Sequence, residues 1–140
     1  MAQYSTQFLP QSQVKQMTEL AERGRLSLAR FAGVEVEFDI GGLQLLDEWI
    51  ERHVRQFPQP SPNIMTLWGA FLGEIFRRRF YGEWVVDTSK RKPQLGIFCP
   101  KEEHGLLFID VMAQIQRRVR KGIIESLALY YTEKGIEIKM

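Results

Sequence analysis

The chain has 140 residues, of which 44% are hydrophobic and 26% charged. That size and balance describe one folded domain and exclude a disordered, collagen-like or low-complexity chain. Nineteen basic against seventeen acidic residues leave a net charge of +2, too small to mark nucleic acid or an anionic membrane as the partner.

Hydrophobic residues first recur at helical spacing in Val14, Met17, Leu20, Ala21, Leu28 and Phe31. This predicts a helix between a Ser12 cap and a Gly33 stop, with Gly24 as the point where it would kink or break. From Val34 to Ile40 the period changes to two. Val34, Val36, Phe38 and Ile40 alternate with Glu35, Glu37 and Asp39, which predicts an edge strand with its acidic face in water. After Gly41 and Gly42 the helical spacing returns. Leu43, Leu46, Ile50, Val54 and Phe57 form the inner stripe of a second helix, with Asp47, Glu51 and Arg55 on the outer side. Prolines 58, 60 and 62 end it.

A third helix, with Asn63 as its expected cap, is apolar nearly all round: nine of the thirteen residues from Ile64 to Phe76 are Ile, Met, Leu, Trp, Ala or Phe. Such a helix belongs at the centre of the fold, and Gly69 and Gly73 on one face invite a close neighbour. Strands are predicted at Glu83 to Asp87, Leu95 to Cys99 and Leu106 to Ile109, the simplest topology being a three-stranded meander. Asp110 caps a helix carrying Val111, Met112, Ile115 and Val119. Gly122 separates it from a further helical stretch, Ile123 to Tyr131, and Gly135 to Met140 is expected to add a short strand. The expected architecture is a single α+β domain over residues 1–140, a central buried helix with flanking helices packed on a small antiparallel sheet.

The run Trp68, Gly69, Ala70, Phe71, Leu72, Gly73, Glu74, Ile75, followed by Gly82, Glu83, Trp84 and Val85, resembles a pattern found in uncharacterised bacterial domains of unknown function. In those families a helix with a Gly-Ala-aromatic-Leu-Gly-Glu-aliphatic run leads into a Gly-x-Trp-Val strand. The dense Arg77, Arg78, Arg79 run departs from it. The resemblance implies a bacterial origin and an α+β fold and assigns no catalytic role.

Few constellations carry chemistry. Cys99 is the one cysteine, so no intrachain disulfide forms, and residues 1–13 lack the order of a signal peptide; a cytoplasmic setting is expected. Trp68 to Phe76 and Ile123 to Tyr131 are too short for the roughly 20 residues that span a bilayer. His53, His104 and Cys99 have no metal-ligand spacing, and Asp39-Ile40-Gly41-Gly42 lacks the glycines and lysine of a phosphate loop. No Gly-x-Ser-x-Gly elbow occurs. No metal, cofactor or catalytic residue is therefore assigned.

Two features remain. Glu74 interrupts the buried helix and must find a partner, with Arg78 one turn away the first candidate and a ligand the alternative. Basic residues cluster at Arg77 to Arg79, Lys90 to Lys92 and Arg117 to Lys121. Two of these close helices, where the macrodipole favours cations. Converging on one face, with Phe80, Tyr81 and Trp84 as stacking planes, they would bind anions or single-stranded nucleic acid. The binding candidates are Glu74, Arg77, Arg78, Arg79, Trp84, Arg117, Arg118, Arg120 and Lys121. The expected function is a non-catalytic domain that binds another protein, with a nucleic-acid-binding accessory role through the clusters at 77–79, 90–92 and 117–121 as the alternative. A homo-oligomer is compatible with either, and a membrane partner is not expected.

Overall fold

The computed structural model describes residues 6–89 and 91–140. The chain begins with strand β1 (Thr6–Phe8) and helix α1 (Gln11–Ala32). Pro10, rather than a Ser12 side chain, stands before α1, and Gly33 ends it in the left-handed conformation with φ 72°. The helix runs unbroken through Gly24, which packs on Leu67.

Residues 34–39 do not form the expected strand. Their alternating side chains serve a loop between two helices: Val36 is buried, Phe38 lies 5.1 Å from Phe71 between ring centroids, and Val34 is exposed. The Val36 carbonyl accepts from the Arg25 guanidinium at 3.0 Å instead of from a neighbouring strand. Asp39 then caps α2 (Ile40–Gln56), accepting the Gly42 N–H at 2.9 Å.

Helix α3 (Pro62–Arg79) starts on a Ser61 cap, with Pro62 in its first turn where no N–H is needed; the expected cap, Asn63, is already inside the helix. It packs against α1, against α4 (Val111–Lys121) and on the sheet. Trp68, Phe71, Leu72 and Ile75 are all buried, as the apolar run requires.

The sheet is an antiparallel meander, β1–β2–β3–β4, with β2 at Glu83–Asp87, β3 at Gln94–Pro100 and β4 at Leu106–Ile109. Trp84 pairs with Ile97, and Ile97 with Ile109, so three buried side chains lie side by side on one face of the sheet. The fourth strand, β1, pairs Phe8 with Val85; three residues are too few to show an alternation in sequence.

A short turn of 3-10 helix, Gly122–Glu125, links α4 to α5 (Leu127–Lys139). The tail is thus helical rather than a strand. Its apparent alternation is resolved by the helix, which buries Ile138 and exposes Ile136, while the Ile138 carbonyl accepts the Glu102 N–H at 2.8 Å.

Candidate binding site

Glu74 has no exposed surface, and it is fully committed. Its carboxylate accepts from Arg77 Nε at 2.6 Å and Nη2 at 2.8 Å, from Arg78 Nε at 3.0 Å, and from the Trp84 indole N–H at 2.8 Å. Burial pushes its pKa up, but the hydrogen bonds from Arg77 and Trp84, the Arg77 charge and the Arg78 bond outweigh burial and hold it below the ordinary carboxylate value. The Arg78 guanidinium stacks on Phe38, 4.0 Å from the ring centroid. Trp84 is buried over Gly73, whose missing Cβ leaves room for the indole: a Cβ there would lie 2.6 Å from Trp84 Cζ2. Glu74, Arg77, Arg78 and Trp84 thus form a joint between α3 and β2, and Trp84 offers no stacking plane.

Arg118 is equally withdrawn. It has no exposed surface and donates through Nε to Asp47 Oδ1 at 2.9 Å, through Nη2 to the Asp47 carbonyl at 2.9 Å and to Glu51 at 3.2 Å. Asp47, expected on the outer side of α2, is buried because it caps another helix: its carboxylate accepts the Leu127 and Ala128 N–H groups at 2.9 and 3.1 Å and the Ser126 hydroxyl at 2.9 Å. Arg117 bonds the Gln114 side-chain oxygen at 2.7 and 2.9 Å.

The basic clusters do not converge. Arg79 ends α3, while Arg120 borders a groove with Met65, Pro58 and Pro60 near the start of the same helix, and Lys121 is exposed beside it. Eighteen helical residues separate these ends by about 27 Å. Arg91 and Lys92 sit at the β2–β3 turn, at the opposite end of the strands from the Glu83–Phe98 pair that adjoins α3's last turn; Lys90 lies outside the described residues.

One member of the first cluster, Arg79, lies in a different setting. The Phe80 N–H makes an ordinary helical bond to the Phe76 carbonyl at 2.9 Å, and the Gly82 N–H reaches back to the Arg77 carbonyl at 2.9 Å, the longer bond of a Schellman closure. The residue between them takes the left-handed conformation that usually falls to glycine. Here it is Tyr81, φ 56°, the one non-glycine with positive φ among the described residues. The neighbouring glycine, Gly82, is needed for packing, because a Cβ there would meet Ile97 and sit 3.0 Å from the Phe98 carbonyl. Tyr81 is 85% exposed, so its ring adds little to the core in return for a conformation costing about 1–2 kcal/mol.

Tyr81 stands at a cleft of about 330 Å³ lined by Arg79, Phe80, Pro100, Lys101, Glu102, Ile138 and Lys139. A second cleft of about 270 Å³, bounded by Tyr131, Thr132, Gly135 and Ile136, shares Arg79, Phe80 and Lys139 with the first. These elements meet because α3 and α5 both end here, beside the β3–β4 turn that the Glu102–Ile138 bond ties to α5. Sequence reasoning named Arg79 and the Tyr81 ring but missed Lys101 and Lys139, which only folding brings to Arg79.

Cys99 is buried, its thiol pKa pushed up to about 12 by desolvation. Among the described residues no group of His, Cys, Asp or Glu could hold a metal, and no helix is long and apolar enough to cross a membrane. Neither a family model, nor a curated protein, nor a solved structure matches this chain.

Proposed function

We propose that the chain is a non-catalytic binding domain that holds a segment of another protein at the Arg79–Tyr81 turn. The observation that carries this reading is Tyr81 itself: a large aromatic ring kept almost fully exposed at a backbone position suited to glycine. The left-handed backbone closes α3, but tyrosine in place of glycine brings no packing in return; strained positions of this kind cluster at functional sites, and tyrosines are favoured anchors at protein interfaces. The adjoining clefts supply apolar walls from Phe80 and Ile138 with cations at the rim. A nucleic-acid role has weaker support, since the three basic clusters lie apart and Trp84 is buried. The buried, unpaired Cys99 suits a cytoplasmic setting.

Tyr81→Gly tests the reading. Glycine relieves the left-handed strain, so the variant is expected to melt no lower than the parent while losing partner capture from cell extract. A partner that survives nuclease and is lost with Tyr81→Gly supports protein binding at this turn. Capture unchanged by the substitution refutes the site. Capture abolished by nuclease in the parent moves the reading to nucleic acid.

A further inference from the structure

We infer that the two clefts together take one extended acidic segment, with a bulky apolar side chain in each cleft and a carboxylate over the ridge between them. This rests on the binding role proposed for the Tyr81 turn and specifies its partner's chemistry. The ridge is formed by Arg79 and Lys139, which both clefts share, with Phe80 packed beneath Arg79 at 5.9 Å from the guanidinium to the ring centroid.

Charge decides between kinds of segment. The first cleft holds three cations, Arg79, Lys101 and Lys139, against the one carboxylate of Glu102. None of the three takes part in an ion pair among the described residues. Two helix C-termini also point here, and each contributes about half a negative charge. Three cations less one carboxylate and two half-charges still leave a surplus of roughly one positive charge. The macrodipoles thus explain why basic residues are tolerated here, and the rim keeps a net positive field that favours an anionic ligand over a cationic one.

Shape decides between ligand classes. Pro100 and Ile138 line the first cleft, Tyr131 and Ile136 the second, and Phe80 both, so apolar sockets flank the cationic ridge on both sides. A duplex would meet the ridge with its phosphates and leave the sockets unfilled, whereas a single strand would stack its bases in them, the case that the oligothymidine measurement separates. In an extended peptide, side chains two residues apart point the same way, roughly 7 Å apart. An acidic residue in a stretch with apolar neighbours therefore matches a cation ridge between two sockets.

The experiment is selection of random ten-residue peptides, displayed on phage, against the whole chain, followed by binding of the selected peptides to variants. Enriched sequences should join Asp or Glu to bulky apolar residues. Arg79→Ala and Lys139→Ala should each weaken their binding about tenfold, the size of a charge-assisted hydrogen bond, and Lys101→Ala, at the rim of the first cleft and off the ridge, by less, with melting temperatures confirming that the variants are folded. Replacing the peptide's acids by Asn or Gln should weaken it alike. Enrichment of basic or neutral peptides, binding indifferent to the three cations, or no enrichment at all overturns the inference. So does tighter binding of oligothymidine that fades steeply with salt. Peptides of the wrong charge that still require Tyr81 would sink the acidic-segment inference while sparing the binding role; peptides indifferent to Tyr81→Gly would sink both.

Discussion

Asp47 and Arg118 are 71 positions apart in sequence and meet at 2.9 Å in the interior, where the Asp47 carboxylate also caps the start of α5. One group thereby ties α2, α4 and α5 together. Asp47→Asn removes the nearer of the two carboxylates that face a wholly buried guanidinium, leaving it only Glu51 at 3.2 Å, and is expected to cost toward the lower end of about 3–5 kcal/mol. Arg118→Met should cost less, because the carboxylate keeps its bonds to the α5 N-terminus. The double variant should fall short of the sum, and urea unfolding of all three checks the coupling.

Glu74 makes stability depend on acid. Its folded pKa lies below the unfolded value, so its contribution is complete above about pH 4.3 and is lost as pH falls through the lowered folded value. Melting temperatures of the parent should therefore drop on acidification more steeply than those of Glu74→Gln. At pH 7 the Gln variant should be less stable by about 1–3 kcal/mol, having lost charge-assisted bonds to Arg77 and Arg78. Partner capture by the folded variant should persist, since Glu74 does not line the clefts. Equal pH profiles would show that folding does not lower the Glu74 pKa.

Gly73 is the other half of that joint. Gly73→Ala places a methyl against the Trp84 ring, so either the indole or α3 must shift, at an expected cost of about 1–3 kcal/mol. The Trp84 fluorescence spectrum should change with it. A melting temperature equal to the parent's would mean the ring has free space.

Cys99 should resist thiol reagents in the native protein. With its pKa near 12 and its side chain buried between strands, almost no thiolate exists at neutral pH. Its labelling rate should follow global unfolding, rising in urea in step with loss of helical signal; rapid labelling of the folded chain would show local opening of β3.

The Gly73, Glu74, Gly82 and Trp84 run shows how far local sequence reaches. That pattern named a helix and a strand in the right places, and in the fold Gly73, Glu74 and Trp84 lock the two together while Gly82 lets the turn pack on β3. Period and punctuation likewise determined α1, α2, α3, α4 and three of the strands, because a single amphipathic stripe or an all-apolar run has one way to be buried. They misled at residues 34–39 and at the tail, where alternation was real but no neighbouring strand was available to complete a ladder. Arg118 read as a surface cation and Asp47 as an outer-face acid, since each becomes worth burying only when the other and the α5 N-terminus arrive from distant segments. The cleft is of the same kind: Arg79, Lys101 and Lys139 belong to three separate stretches of chain, so their shared field and the sockets beside it exist only once α3, the β3–β4 turn and α5 have packed end to end.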